Sequence, residues 1–344
     1  MSNDTSHLSM SLVLMSIIPT FILGAWWYAR AVKRNRYDAI SFLALIVYGL
    51  VVEIIDIRSI ENYDYAYLLV MVGTSPNWVP FAVGVSWAVI IYTSMQSSDL
   101  IGLPWKLRPL LDGAFAVWLD LVMDPVSSSS RWVLMSNHSC GQPTGVLFGG
   151  VGLWQWCVPL GTKTLWLSVP LSNFIGWFTV VVVISLALRI GREKLRGDER
   201  SAIGQSVLIV ALAAAAVVTV IALAKYFIDR YTSIPAQWTI FALVLLAPLA
   251  MVAYYAPRLN FRNPLNYGLL SMPILVFLTE PWTFFRRGID RDIPGARAMF
   301  VASVLGSMAV LFLPYIGRLR RGGDERDLAV GEGEERLGVL ASTN

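Results

Sequence analysis

Residues Leu165–Leu188 read LWLSVPLSNFIGWFTVVVVISLAL, a stretch without a single charged side chain. The hydrocarbon core of a bilayer is about 30 Å thick, and a helix needs roughly 20 mostly apolar residues to cross it. This stretch therefore predicts a membrane-spanning helix. Comparable apolar runs occur along the rest of the chain, at Met10–Ala29, Tyr37–Ile57, Val79–Met95, Pro109–Met123, Gly204–Phe227, Gln237–Tyr255, Tyr267–Phe284 and Ala298–Ile316.

These nine runs predict an all-α fold, a polytopic transmembrane bundle of nine helices, with eight spans as the alternative. The choice between nine and eight spans depends on the run at Tyr267–Phe284. This run is short and contains Pro273 and Glu280, so it could form a re-entrant segment instead of a span. We expect residues 1–317 to form a single transmembrane domain. Residues 318–344, rich in Gly and Glu, are expected to form a disordered cytoplasmic tail.

The overall composition excludes several classes of protein. Of 344 residues, 56% are hydrophobic and only 15% are charged, whereas an ordinary soluble domain is about 25% charged. The net charge of +4 is too small, and too scattered, for a nucleic-acid-binding surface. The chain has two cysteines and two histidines, which supply neither a disulfide framework nor a zinc site. We therefore expect a cell-membrane protein that crosses the bilayer several times and binds no metal.

Basic residues between the spans predict the sidedness of the protein, since Lys and Arg are enriched in cytoplasmic loops. Clusters that follow the first and fifth spans predict that the N-terminus faces outside. The residues of these two clusters are Arg30, Lys33, Arg34 and Arg36, and Arg189, Arg192, Lys194, Arg196 and Arg200. A third group of basic residues conflicts with this orientation, because nine spans would place it outside. Its members are Arg286, Arg287, Arg291 and Arg297. A re-entrant Tyr267–Phe284 would remove that conflict and create another at Arg318, Arg320 and Arg321.

Acidic side chains inside apolar runs are the strongest candidates for a functional site. An ionisable group at the centre of a span costs at least ~2.5–3.5 kcal/mol, so it marks a site by default. Glu53 lies within the second run, and Asp120 and Asp124 lie one helical turn apart in the fourth. Two such carboxyls cannot both ionise cheaply, so we expect them to share one proton. We interpret Asp112, close after Pro109, as a carboxylate that stabilises the positive end of its helix.

Three further side chains add aromatic faces and one adds an amide. Trp154, Trp156 and Trp177 are candidates to line a pocket, although interfacial tryptophans are also common in membrane proteins. Asn173 is a candidate substrate or water contact, with interhelical hydrogen bonding as the alternative. His138 and Cys140 form no recognisable metal site, because no further ligands accompany them.

Four segments in order resemble the CruF-type carotenoid 1,2-hydratases, membrane proteins of carotenoid biosynthesis. They are Glu53, Asp120-Leu-Val-Met-Asp124-Pro125-Val126, Gly152-Leu-Trp154-Gln-Trp156, and Val169-Pro-Leu-Ser-Asn-Phe-Ile-Gly-Trp177. The resemblance covers residues 48–188. The chain departs from the family pattern at residues 127–150, which read as an inserted outer loop between the second and third segments.

The resemblance implies an enzyme that needs no cofactor. It adds water across the terminal 1,2 double bond of an acyclic carotenoid end group and gives a tertiary 1-hydroxyl. The implied substrate is dissolved in the membrane, of the lycopene, γ-carotene or C50 acyclic type, with other carotenoid-pathway enzymes as candidate partners. Glu53, Asp120 and Asp124 would be the catalytic acids, with Asp120 as the proton donor and Asp124 as the group that deprotonates water. Trp154, Trp156, Asn173 and Trp177 would bind the substrate.

Three other functions remain open from the sequence. A proton-coupled transporter could use the same acids as a relay, although no internal repeat supports it. The spacing of Asp120 and Asp124 also resembles half of a diphosphate–Mg²⁺ site of an intramembrane prenyltransferase, but no second acidic cluster with Lys or Arg is evident. A non-catalytic scaffold in a carotenoid-making complex is the last alternative.

Overall fold

The computed structural model of the chain describes residues 17–60, 63–65, 70–74, 77–129, 154–156, 163–194, 215, 228, 232–286, 288, 291 and 294–319. Within these ranges the protein is a bundle of helices with a few short strands. The helices are α1 (Ile18–Arg34), α2 (Arg36–Ile60), α3 (Phe81–Ile101), α4 (Arg108–Ser129), α5 (Leu171–Lys194), α6 (Ile234–Tyr255), α7 (Ser271–Arg286), α8 (Ala296–Leu311) and the short α9 (Ile316–Leu319).

Three antiparallel strand pairs, which the sequence analysis did not predict, precede or connect the helices. Strands β2 (Met71–Thr74) and β3 (Asn77–Pro80) pair directly before α3, and β5 (Leu165–Trp166) and β6 (Val169–Pro170) pair directly before α5. Strand β1 (Tyr63–Tyr65) pairs with the distant β4 (Trp154–Trp156). Apolar and aromatic residues in these stretches made them indistinguishable from the starts of the spans that follow.

Three of the described helical segments are long and apolar enough to cross a membrane: Arg36–Ile57, Leu171–Glu193 and Ile234–Arg258. The fold is therefore mainly helical and resembles that of a membrane protein, as predicted. Helix length and composition alone do not give eight or nine spans within the described residues. The expected span at residues 204–227 lies almost wholly outside the described part of the chain, as do residues 1–16 and 320–344.

Helix α4 differs from its predicted limits at the C-terminal end. The predicted run ends at Met123, but α4 continues through Pro125 to Ser129. Proline lacks an N–H group, so it removes one backbone hydrogen bond and can still remain within a helix that packing holds on both sides. Ser127 to Ser129, expected to begin the inserted loop, are therefore helical, and residues 130–150 lie outside the described residues.

Helix α4 is the centre of the bundle and packs against α3, α5, α6, α7 and α8. Small residues allow its closest contacts. A Cβ atom at Gly113 would lie 2.8 Å from the ring of Phe178 on α5, and one at Gly306 on α8 would lie 2.3 Å from the ring of Trp118. Close packing of this kind is how helices associate in a membrane, where burial of apolar surface from water is not available as a driving force.

One end of the bundle is held together by ion pairs between successive helices. Asp112 on α4 is fully buried and binds Arg189 on α5, with 2.9 Å between Asp112 Oδ2 and Arg189 Nη2. Asp99 on α3 binds Arg189 and Arg108, and Asp38 on α2 binds Arg192 at 3.3 Å. We call this cluster, formed by Asp38, Asp99, Asp112, Arg108, Arg189 and Arg192, the ion-pair end.

The later helices reach the same end. The backbone N–H of Asn260, after α6, donates to Ile101 O at 3.0 Å, and the Asn263 side chain donates to Leu100 O and Pro314 O at 3.1 Å each. The C-terminus of α3, the segment between α6 and α7, and the segment after α8 therefore meet there. Consecutive described helices α1 to α5 and α6 to α8 alternate in direction through the bundle.

Candidate functional site

A cavity opens toward the opposite end of the bundle from the ion-pair end. Its walls come from α1, α2, α3, α4, α5 and α7 together with β1 and β4. The polar and aromatic side chains that line it are Thr20, Glu53, Tyr65, Ser86, Trp87, Asp124, Ser127, Trp154, Trp156, Asn173, Trp177, Thr279 and Glu280. The cavity thus brings together residues that are more than two hundred positions apart in the chain.

Glu53 is a buried carboxyl on α2, and two aromatic side chains hold it in place. The Trp87 indole Nε1 donates to Glu53 Oε1 at 2.7 Å, and the Tyr65 hydroxyl donates to Glu53 Oε2 at 2.8 Å. Hydrogen bonds to both oxygens stabilise an ionised carboxylate and fix its orientation. Burial raises the pKa of Tyr65 well above its ordinary value, and the neighbouring Glu53 charge raises it further, so Tyr65 keeps its proton and remains a donor.

Asp120 and Asp124 form a pair of carboxyl groups, and the side-chain amide of Asn173 bridges them. Asn173 Nδ2 donates to Asp124 Oδ2 at 2.7 Å and to Asp120 Oδ2 at 3.1 Å. Asn173 is the third residue of α5, so the partly positive N-terminal end of that helix also faces the two acids. Asp124 lines the cavity, whereas Asp120 is fully buried one turn away and does not.

A stacked tryptophan pair forms an aromatic wall of the cavity. The rings of Trp87 and Trp177 stack with 4.1 Å between their centroids and 26° between their planes. Strands β1 and β4 add to this wall, because Tyr65, Trp154 and Trp156 line the cavity and Tyr65 lies opposite Trp154 in the ladder. The face of an aromatic ring attracts positive charge. The cavity therefore combines carboxyl groups with surfaces suited to a cation.

A protein-family model described as carotenoid biosynthesis protein matches residues 11–246. The chain belongs to this family. The matched region covers α1 to α5 and part of α6, and it includes every residue that the sequence analysis placed in the site. No curated protein and no solved structure matches the chain.

In this carotenoid biosynthesis protein, the structure brings the sequence-predicted residues into one region. Glu53, Asp124, Trp154, Trp156, Asn173 and Trp177 line the cavity. Asp120 lies behind it, joined to Asp124 through Asn173. The catalytic and binding roles of these seven residues stay predictions, since proximity alone does not assign them.

The cavity residues that sequence reasoning missed include Trp87, Tyr65 and Glu280. Trp87 lies in an uncharged apolar run in which an aromatic residue reads as core, and Tyr65 lies in a short strand. Glu280 was noted only as an unusual feature of its span, yet it lines the cavity from α7. The cost of an acid in an apolar run is the signal that could have placed Glu280 in the site.

The interpretation of Asp112 needs correction. It was expected to stabilise the first turn of its helix, but it lies beyond that turn and its partner is Arg189, with Ser98 and Ser185 as hydrogen-bond donors. Arg189 had been read only as a topology signal. Asp112 therefore has a structural role at the ion-pair end and does not reach the cavity.

The ionisable side chains known to line the cavity from the described residues are acids and the phenol of Tyr65. Glu53, Asp124 and Glu280 line it, and the described lining residues include no Lys or Arg. Among the described residues no group of three or more His, Cys, Asp or Glu is arranged to hold a metal ion. The walls would favour a developing positive charge and would disfavour an anion such as a diphosphate.

Proposed function

We propose that this carotenoid biosynthesis protein is a carotenoid hydratase that adds water to the terminal 1,2 double bond of an acyclic carotenoid. The observation that carries the proposal is the cavity in which Asp124, Glu53 and the stacked Trp87–Trp177 pair meet. Alkene hydration needs an undissociated acid, a surface that stabilises a tertiary cation, and a base for the attacking water. This cavity offers all three.

The first step of the proposed reaction is proton transfer to the alkene. A carbon–carbon double bond is a weak base, so the acid must be desolvated and in contact with it. Asp124 faces the cavity and Asp120 does not, which favours Asp124 as the group that delivers the proton and reverses the order expected from sequence. Asp120, bound to the same Asn173 amide, keeps the pair at one shared proton and acts as a positioning residue.

Protonation at C2 of the end group leaves a tertiary cation at C1. The stacked rings of Trp87 and Trp177 and the charge of Glu53, held by Trp87 and Tyr65, stabilise that cation. Water then forms a bond to C1, and one of its protons passes to a carboxylate that lines the cavity. The sum is one alkene and one water converted to one tertiary alcohol, with no change of oxidation state.

The surroundings of the cavity suit a hydrocarbon substrate that arrives through the bilayer. Helices α1 and α7 each give one face to the cavity and expose large apolar side chains on another face. These exposed residues are Ile18, Ile22, Leu278 and Trp282. We further propose that the bundle crosses the cell membrane nine times with its N-terminus outside. The alternating helix directions support this arrangement, and it places the ion-pair end at the cytoplasmic side and the cavity near the outer side.

Of the alternatives from sequence, the prenyltransferase has the least support. Binding of a diphosphate needs metal ions or Lys and Arg side chains, and the described cavity lining has carboxyl groups instead. A proton-coupled transporter shares the acids but does not require aromatic faces around them. The experiment below separates it from a hydratase, because only the hydratase changes its substrate.

Expression in a lycopene-accumulating host tests the proposal. We expect a new, more polar pigment that is heavier by one water, detected by chromatography with mass spectrometry. Asp124→Asn preserves size and hydrogen bonding but cannot transfer a proton, so product should fall by at least ~10²-fold at unchanged protein level. Asp120→Asn and Glu53→Gln should also lower the yield. An unchanged pigment profile in the presence of membrane-inserted protein, repeated with γ-carotene and a C50 acyclic carotenoid, would reject the hydratase.

A further inference from the structure

Helix α7 supplies a wall of the cavity although it lies beyond the region that the family model matches. The match ends at residue 246, and α7 spans Ser271–Arg286. The α7 residues that line the cavity are Met272, Leu275, Val276, Thr279 and Glu280. They recur at intervals of three and four positions, so they form a single face of the helix.

This face changes in character along the helix. Met272, Leu275 and Val276 are apolar, and Thr279 and Glu280, one turn nearer the C-terminal end, are polar. An apolar stretch followed by a carboxyl is the profile expected where a hydrocarbon chain ends at its reacting group. The position of Glu280 along α7 is therefore appropriate for contact with the end group and not with the middle of a polyene.

Glu280 differs from the other acids of the cavity in its hydrogen bonding. Both Glu53 oxygens accept from Trp87 and Tyr65, and Asp124 accepts from Asn173. Within the described residues, the Glu280 carboxyl has no protein donor. Polar groups in such surroundings obtain their hydrogen bonds from water or from a ligand. A hydrocarbon end group has no donor to give, so water is the partner that remains.

We infer that Glu280 is a further catalytic residue of the proposed hydration, which binds the attacking water and takes its proton. The inference rests on the proposed function. Asp124 gives its proton to C2, the water bound to Glu280 forms the C1–O bond, and the O–H bond that breaks leaves its proton on the Glu280 carboxylate. That proton returns to the Asp120–Asp124 pair through solvent, so the cycle balances. Proton delivery and water capture are thus assigned to different helices, α4 and α7.

Hydrogen–deuterium exchange into the substrate distinguishes the two steps. In D₂O, Asp124 delivers a deuteron to C2, and a cation that is not captured by water loses a proton or deuteron from C2 and returns to alkene. Glu280→Gln should therefore lower hydration by at least ~10²-fold while the recovered, unhydrated carotenoid gains deuterium. Asp124→Asn should give neither product nor deuterated substrate. Leu278→Ala, two residues from Glu280 and 70% exposed on the outer face of α7, should hydrate at the wild-type rate.

Mass spectrometry of the recovered carotenoid measures both its hydration and its deuterium content. Wild-type hydration by Glu280→Gln, or recovery of undeuterated substrate from it, would overturn the role in water capture. If Glu280→Gln does not accumulate in the membrane, the same measurement on Glu280→Ala applies, with the same two outcomes. Failure of the wild-type protein to hydrate any carotenoid would instead reject the proposed function, so the two failures are distinguishable.

Discussion

At the scale of single residues, the most consequential side chain is Trp87. It has two contacts at once: its N–H group donates to Glu53 at 2.7 Å, and its ring stacks on Trp177. Gly49 permits this arrangement, because a Cβ atom there would lie 2.6 Å from the Trp87 side chain. Trp87 thereby fixes both the acid and the aromatic wall of the cavity.

The substitution Trp87→Phe separates these two functions. Phenylalanine keeps an aromatic face toward Trp177 but has no donor for Glu53. A hydrogen bond to a charged group contributes about 1.5–3 kcal/mol, and each 1.4 kcal/mol is about tenfold in rate, so carotenoid conversion should fall by roughly ten- to a hundredfold. The measurement is product yield per unit of membrane protein. Trp282→Phe, at a side chain 53% exposed on α7, is the matched control and should have no effect; equal activity of Trp87→Phe and wild type would contradict the role of the bond.

At the scale of elements, α4 joins the two ends of the molecule. Asp112 near its N-terminal end is buried in ion pairs, and Asp120 and Asp124 near its C-terminal end belong to the cavity. All three are acids in an apolar helix, and sequence spacing alone places them on roughly one side of it. Their partners differ, because Asp112 binds the guanidinium of Arg189 and the other two acids accept hydrogen bonds from the amide of Asn173.

Because their partners differ, we expect replacement by Asn to have different consequences at Asp112 and at Asp124. Asp112→Asn leaves the buried Arg189 with an incomplete set of partners, and breaking a buried ion pair costs about 3–5 kcal/mol. We expect a large loss of stability, measured by denaturation of the purified protein in detergent, while Asp124→Asn loses activity with little change in stability. Arg258→Gln, at an exposed position near the same end, should leave stability unchanged. A stable Asp112→Asn variant would show that the ion-pair end does not hold the bundle together.

At the scale of the whole molecule, the arrangement of the helices places the structural ion pairs and the candidate site at opposite ends of the bundle. Ion pairs close one end of the bundle, and the cavity with its acids and tryptophans lies toward the other. In the proposed topology, with the N-terminus outside, the ion-pair end would lie at the cytoplasmic side together with the basic loops. The cavity would then lie near the outer interface, where water is available to the proposed lipid-dissolved substrate.

Reporter fusions test this topology. A fluorescent protein fused after Asn344 should fluoresce and alkaline phosphatase at the same point should be inactive, because nine spans return the chain to the cytoplasm. Fusions at Arg196 and at Ser136 are controls for the cytoplasmic and outer sides. Active phosphatase after Asn344 would support eight spans and a different path for the chain around α7.

The sequence by itself determined the helical, membrane-like class, the family, and the acids and aromatic residues worth attention. It could do so because the class depends on local composition, the family on short sequence motifs, and the candidate acids on the cost of a charge in an apolar helix. Glu53 and Asp124 were identified as acids, Trp177 as an aromatic residue and Asn173 as an amide within an apolar run, and the structure brings the four to one cavity.

Only the tertiary structure decided which of these residues meet and which face the cavity. Three contacts join helices that are distant in the chain: the Asn173 bridge, the Trp87 bond to Glu53 and the Asp112–Arg189 pair. Glu280 likewise reaches the cavity from a distant helix. No local pattern encodes such contacts, because helix rotation and close approach at Gly49, Gly113 and Gly306 set them. The continuation of α4 through Pro125 has the same origin, since packing on both sides outweighs the loss of one backbone hydrogen bond.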